Sequence, residues 1–172
     1  RSSFERDFRI DRTPPVVSGV HPANNAVTSD PQPVLTGACD DAVTVTVNGD
    51  GASVVSGSFV FAGLTLTEGP NAVEVVATDG ADNASTTLLT LHLDTEPPSL
   101  EVESPDAGAL VGEPQVVVEG TVGDFHLDAV LVNGFEASLA GSRFRAVVPL
   151  SQEGSVTLAA VATDRAGNAT TA

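Results

Sequence analysis

The sequence predicts an all-β fold of two tandem β-sandwiches joined by a short proline-containing linker. The 172-residue chain carries the same four motifs twice, in the same order, 83 to 85 residues apart. Short apolar stretches alternate with turn residues, and none shows a helical period. A repeat of this length matches one small sandwich rather than one turn of a solenoid. The prediction is therefore two modules in series.

The repeated motifs are a proline pair, an Asn-Gly turn, a Glu-Gly step and an Asp-led loop. They lie at Asp11–Pro15 and Asp94–Pro98, Val47–Gly49 and Val132–Gly134, Glu68–Gly69 and Glu153–Gly154, and Ala77–Asn83 and Ala162–Asn168. We therefore expect one domain at 11–93 and a second at 94–172, the second with an incomplete last strand. Residues 1–10 are expected to be the tail of an upstream module or a free strand, centred on Phe8 to Ile10. The proline pairs cannot donate to a ladder, so they end one module and stiffen the approach to the next.

Seven strands are predicted in the first copy, each bounded by Gly, Pro, Asn or Asp. The clearest is the third, in which valines alternate with Thr44 and Thr46 before Asn48-Gly49, a strong hairpin signal. The seven are Val16–Val20, Val34–Cys39, Val43–Val47, Ala52–Val55, Phe59–Leu66, Ala72–Thr78 and Ser85–Leu93. Seven such strands in about 80 residues are typical of an immunoglobulin-like sandwich.

The second copy repeats this plan, and its seventh strand begins at Ala169. Its other strands are Leu100–Glu103, Val116–Val122, Ala129–Val132, Phe135–Leu139, Phe144–Leu150 and Val156–Thr163. The alternate strand positions that face inward predict two matched cores. The first copy contributes Leu35, Val45, Phe59 or Phe61, Val73 and Val75, and the second contributes Val118, Val130, Phe144, Leu158 and Ala160. Cys39, the only cysteine, aligns with Val122 and is expected to be a buried thiol.

The four motifs in this order resemble the bacterial immunoglobulin-like repeats that occur in tandem in surface adhesins. Similar repeats serve as accessory modules of extracellular carbohydrate-active enzymes. The resemblance covers nearly everything from Asp11 onward. It implies an extracellular or cell-surface location and, for the adhesin type, calcium at some module junctions. It is more specific for fold than for function, because the sandwich is a scaffold used for many tasks.

The charge balance limits the classes of partner. The chain has 23 acidic residues against 7 basic ones and a formal charge of −16, and it contains no lysine. Such a surface repels nucleic acid and anionic lipid, and no apolar run approaches the ~20 residues of a membrane span. We expect no nucleic-acid binding and no membrane insertion. An acidic surface suits divalent cations.

Acidic loops predict a calcium site at one end of the second module. In this topology the first strand begins at the same end as the loops after strands two and six. Asp94, Glu96, Asp124 and Asp164 should therefore converge there, facing Asp50 and Glu68 of the first copy. Calcium prefers six to eight oxygens from such loops. The alternative is structural, with Asp79 and Asp164 accepting backbone N–H groups while Asp82 and Gly167 adopt the left-handed conformation.

The residues predict no active site. His21, His92 and His126 occupy non-equivalent positions with no metal-ligand or catalytic spacing, so we expect surface or turn histidines. A direct lectin role is disfavoured because the chain lacks Trp and Tyr. The sequons at Asn83 and Asn168 follow from an Asn-ended turn entering a Ser/Thr-rich strand.

One difference between the copies suggests a protein interface. On the outward phase the first copy has Thr46, Glu74 and Val76, where the second has Leu131, Ala159 and Val161. The more apolar face of the second copy predicts that another domain or subunit covers it. The alternative is that these are ordinary apolar residues scattered on a surface. An unfinished last strand also allows strand pairing into a homo-oligomer or filament.

The function expected from these features is a non-enzymatic structural or adhesive stalk segment of a larger bacterial cell-surface or secreted protein. It would meet a protein or surface partner through that larger assembly. Two alternatives are an accessory region of a multidomain extracellular carbohydrate-active enzyme and a strand-exchanging filament subunit.

Overall fold

The computed structural model describes residues 6–172 and forms two compact units. Of the described residues, one unit comprises 6–26 and Asp30–Leu93, and the other comprises Val27–Ser29 and Asp94–Ala172. The described residues contain strands, turns and loops, and no helix among them is long and apolar enough to cross a membrane. The predicted all-β class with two tandem immunoglobulin-like sandwiches is confirmed.

Strands of the first repeat form two antiparallel sheets. Their bounds are β1 (Val17–His21), β2 (Val27–Thr28), β3 (Leu35–Cys39), β4 (Thr44–Val47), β5 (Asp50–Gly51), β6 (Ser53–Val55), β7 (Ser58–Phe61), β8 (Gly69–Thr78) and β9 (Ala84–Leu93). One sheet has the order β1-β3-β7-β6, and the other places β9, β8, β4 and β5 side by side. The predicted Asn48-Gly49 turn joins β4 to β5, with positive φ at both residues.

The second repeat uses the same two-sheet plan. Its strands are β10 (Ser99–Ser104), β11 (Gln115–Gly123), β12 (Leu127–Val132), β13 (Phe135–Glu136), β14 (Ser138–Ala140), β15 (Arg143–Pro149), β16 (Ala160–Asp164) and β17 (Ala169–Thr171). The sheet orders are β10-β11-β15-β14 and β13-β12-β16-β17. Asn133-Gly134 makes the equivalent hairpin turn, because both residues tolerate positive φ.

Each unit has its own apolar core between its sheets. Phe59 and Phe144 are the largest fully buried side chains, and Leu35, Val45, Val118 and Val130 are buried around them. Both Phe59 and Phe61 are inside, and Cys39 is fully buried as predicted. Leu158 is the exception, because it is only partly buried at the edge of the second core.

Four predicted strands differ in the structure. The strand predicted at Phe135–Leu139 is divided into β13 and β14, which belong to different sheets. The strand predicted at Phe59–Leu66 ends at Phe61, because the Leu66 N–H donates to the Pro31 carbonyl rather than to a ladder. The strand predicted at Val156–Thr163 begins only at Ala160, which lies opposite Val132, the last residue of β12. Residues 6–16 form no strand, so the free strand predicted at Phe8 to Ile10 is absent, and the predicted segment's residues 1–5 lie outside the described residues.

Candidate functional site

Three aspartates meet at one end of the second sandwich. Asp94 lies three residues before Pro97, the first linker proline, Asp124 lies in the loop between β11 and β12, and Asp164 ends β16. One carboxylate oxygen from each lies within 4.8 Å of the others, and Asp94 and Asp164 are buried. The structure thus brings together three of the four predicted calcium ligands. Their oxygen donors fit the chemistry of calcium, and calcium binding itself stays a prediction.

Glu96, the fourth predicted ligand, lies outside this cluster. Its side chain is exposed, and its backbone N–H donates to Asp94 Oδ1 at 3.3 Å. The turn after Asp94 therefore presents the Glu96 backbone, not its carboxylate, to the aspartates. Counting acidic residues along the sequence could not reveal this orientation.

Asp164 has a structural role in its own loop. Its carboxylate accepts the Asn168 backbone N–H and the Asn168 side-chain amide, each at 2.8 Å. Asp79 does the same with Asn83, at 2.9 Å and 2.8 Å, and also accepts the Ala81 N–H. Asp82 and Gly167 have positive φ, so the structural interpretation of these loops is confirmed. Both sequon asparagines are engaged in these contacts.

His126 lies next to the aspartate cluster, and the spacing of residues in the sequence did not predict this. Its Nδ1 lies 2.7 Å from Asp94 Oδ2, its backbone N–H donates to Asp124 Oδ1, and its carbonyl accepts the Arg165 N–H. His126 lies in the turn between β11 and β12, one of the two predicted settings, but its side chain is only 15% exposed, and its acidic neighbour was not predicted. The physical reason is that the pair is 32 residues apart in sequence and is joined only by the fold.

The first sandwich has an equivalent triad at Asp11, Asp41 and Asp79, also within 4.8 Å. The offsets to Asp94, Asp124 and Asp164 are 83, 83 and 85 residues, which match the repeat spacing. Sequence analysis singled out only the second triad, although the repeat itself carried the signal for the first. The copies differ in that Asp11 and Asp41 are exposed.

Hydrogen bonding lowers the pKa of Asp79. The Asn83 side-chain amide is the largest cause, and the Asn83 and Ala81 backbone N–H groups add to it against the opposing effect of burial. The pKa of the Cys39 thiol is raised instead, first by burial and then by the charge of Asp40, so this thiol stays protonated and unreactive.

Acid should therefore weaken the first sandwich through Asp79. A carboxyl with a lowered folded-state pKa stabilises the protein above its unfolded pKa, near 4, and loses that contribution as pH falls through the folded value. Thermal melts between neutral pH and strong acid should show Asp79→Asn less stable than wild type at neutral pH, with the gap closing in acid. Asp82→Asn, on the same loop, is the control. A gap that is constant with pH would contradict this assignment.

The predicted interface residues share one outward face of the second sandwich. Leu131 is 37% exposed and pairs directly opposite Val161, and Ala159 is exposed beside them. This patch is small, and its role as an interface stays a prediction.

Comparison with known proteins matches both repeats to one family. The family model for glucodextranase domain B matches residues 15–95 and again residues 98–172. Bacillopeptidase F of Bacillus subtilis strain 168 is 35% identical over 126 residues, which cover 72% of this chain. The match spans only 8% of the length of that protein.

A solved structure supports the same fold. The fibronectin(III)-like modules of Clostridium thermocellum CbhA superpose with a TM-score of 0.59, covering 92% of this chain and 90% of that chain. At 12% identity this similarity concerns the fold alone. With the two family matches, it agrees with the repeat seen in the sequence. The chain belongs to the glucodextranase domain B family and carries two tandem copies of that immunoglobulin-like domain.

Proposed function

We propose that this chain is a non-catalytic pair of sandwich modules that spaces or supports other domains of a larger extracellular bacterial protein. The observation that carries the proposal is the duplication itself. The shared features are framework: proline pairs, Asn-Gly turns, Asp-led loops and matched phenylalanine cores. Such residues build a fold and its connections rather than a reaction centre.

Two further observations support a spacer role. The similarity to Bacillopeptidase F covers a small fraction of a much longer protein, as expected for an accessory region. A net charge of −16 keeps neighbouring copies soluble and apart in solution. Both observations are consistent with a stalk or adhesive segment at the cell surface.

Module replacement in the parent protein tests this proposal. Residues 15–172 would be replaced either by an unrelated tandem of sandwich modules of equal length or by a short flexible linker. A spacer predicts that the unrelated tandem restores the parent's adhesion or activity and that the short linker does not. If only the native pair restores it, the modules make specific contacts and the spacer proposal is wrong.

An accessory role within a secreted enzyme is the second candidate. It is favoured by the names of the matched family, a glucodextranase domain, and of the relative, a peptidase. Here the pair would orient a catalytic domain elsewhere in the same protein. The replacement experiment distinguishes the two, because an orienting role requires the native pair while a spacer requires only its length.

The proposal includes calcium at the aspartate triad of the second sandwich. Asp94, Asp124 and Asp164 each present a carboxylate oxygen within 4.8 Å, and two of the three side chains are buried. Like charges this close repel one another, and a divalent cation would relieve that repulsion. The recurrence of the triad in the first sandwich supports a shared role for it.

Calcium should raise the melting temperature of the second sandwich. With the dissociation constants of extracellular modules, ~10⁻⁴–10⁻³ M, about 10 mM Ca²⁺ would add about 1–3 kcal/mol. Asp124→Asn should abolish that gain, because the amide oxygen can still accept the His126 N–H but no longer carries charge. Asp128→Asn, exposed on β12, is the matched control. Identical melts in Ca²⁺ and EDTA would eliminate this site.

A further inference from the structure

The outer sheet of the first sandwich carries a groove with a polar lining. Its floor is a block of four outward side chains on the two central strands: Ala72 and Glu74 of β8, opposite Thr90 and Leu88 of β9. Turns bearing Asn24 and Asn48 form its two sides, and its volume is about 430 Å³. The floor measures about 5 Å between strands and about 7 Å along them, close to the footprint of one sugar ring.

Both asparagines at the sides of the groove are held rigidly by the sheet. Asn24 Oδ1 accepts the Thr90 N–H at 2.8 Å, and Asn48 Oδ1 accepts the Glu74 N–H at 2.9 Å. Because each oxygen is bonded to the floor strands, each Nδ2 group remains a donor, and neither has a protein partner within residues 6–172. The groove thus has two fixed amide donors on opposite sides.

Glu74 supplies the complementary acceptor. It is exposed, and among the described residues no cation pairs with it, since the chain has no arginine between Arg12 and Arg143 and no lysine. Leu88 stands directly opposite it and is 71% exposed, which gives the floor an apolar surface beside the carboxylate. Acceptor, donors and apolar surface are therefore within one shallow groove.

We infer that this groove binds a neutral oligosaccharide. Sugar hydroxyls both donate and accept, so a carboxylate and two amide groups can bind neighbouring hydroxyls, while Leu88 and Ala72 contact the C–H face of the ring. Anionic glycans are excluded by Glu74 and the net charge. A peptide strand is a poor fit, because β8 and β9 pair with each other along their full length and leave no backbone groups free between them.

This site differs from the aromatic platforms whose absence argued against a lectin. Leu88 takes the place of an aromatic side chain, so the groove should bind the oligosaccharide weakly. The second sandwich lacks the same arrangement, because Ala159 occupies the position equivalent to Glu74. Only the first sandwich is therefore expected to bind.

The test uses ¹⁵N–¹H correlation spectra of the 172-residue chain with cellohexaose, xylohexaose or maltohexaose at millimolar concentration. With at least one sugar, the Asn24 and Asn48 side-chain amides and the Leu88 and Thr90 backbone signals should shift together. Glu74→Ala should weaken binding about tenfold or more, the value of one charge-assisted hydrogen bond. Leu88→Ala should also weaken it. Glu101→Ala, an exposed carboxylate in the second sandwich, should leave it unchanged.

Several results would overturn the inference. These are no shift with any of the three sugars, shifts confined to residues outside the groove, or undiminished binding by Glu74→Ala. Concentration-dependent shifts at Leu88 without sugar would assign the groove to protein contact instead. Melting curves of each variant confirm that folding is intact, and none of these outcomes depends on whether the modules act as a spacer.

Discussion

Replacing Gly120 by alanine is expected to destabilise the second sandwich by about 3 kcal/mol, at the upper end of the usual cost of overpacking a core. Gly120 lies directly opposite Phe144 in the β11–β15 ladder. A Cβ at this position would lie 2.0 Å from the Glu101 carbonyl oxygen and 2.6 Å and 2.8 Å from the Phe144 ring. The β10 backbone and the core ring would both have to move. In a module of this size the melting temperature should fall by about 15 °C.

The first sandwich offers a matched comparison at Gly37. It lies opposite Phe59, and its Cβ would meet that ring at 2.5 Å and 2.8 Å, but its nearest backbone atom, the Ser18 carbonyl oxygen, is 3.3 Å away. Gly37→Ala should therefore cost about 1–2 kcal/mol, because only the ring must adjust. The double variant Gly37→Ala/Phe59→Leu should recover more stability than Gly120→Ala/Phe144→Leu, in which the backbone clash persists.

Gly112 provides the control within the second module. A Cβ there meets nothing within 4 Å, and its φ is not positive. Gly112→Ala should be neutral or stabilising by up to about 1 kcal/mol, through the smaller entropy of the unfolded chain. Differential scanning calorimetry measures all of these variants. If Gly120→Ala has the same melting temperature as the Gly112→Ala control, the close packing of Phe144 on the β11 backbone is contradicted.

The fold was predictable because its signals are local. Backbone geometry is determined within a few residues by the period-two alternation around Val45, by the Asn48-Gly49 turn and by the proline pairs. Each of these signals occurs in both copies of the repeat. The strand that ended early shows the limit of this reasoning. Leu64 and Leu66 continue the apolar pattern and are buried, yet the backbone there bonds to Pro31, a contact between residues far apart in sequence.

The candidate site was predictable only as far as topology determines it. Knowing which loops share an end of the sandwich was enough to bring Asp94, Asp124 and Asp164 together. It could not show that Glu96 contributes only its backbone N–H or that His126 reaches Asp94, because side-chain direction in a loop depends on tertiary contacts. The glycines opposite Phe59 and Phe144 were visible in the strands, and a strand glycine is a recognised sign of close approach.

Replacing Asp164 by alanine is the second change with a large expected effect, about 3 kcal/mol on the second sandwich. The carboxylate is buried and accepts both the backbone N–H and the side-chain amide of Asn168. Hydrogen bonds to a charged group contribute about 1.5–3 kcal/mol, and the partly buried Asn168 donors left without a partner add part of their desolvation cost. Asn168 also donates to the Asp94 carbonyl, so loss of Asp164 loosens the start of the module as well.

Melts without calcium measure the structural role of Asp164 by itself. If hydrogen bonds hold the loop, Asp164→Ala should lower the melting temperature in EDTA, where no calcium is bound. Asp128→Ala, which removes one exposed charge, should leave it unchanged. Asp124→Asn should be nearly silent under the same conditions and differ from wild type only when Ca²⁺ is added. Because Asp164 serves both the loop and the triad, its loss alone cannot identify a metal ligand. If Asp164→Ala is as stable as wild type in EDTA, the hydrogen-bonded loop does not stabilise this end of the sandwich.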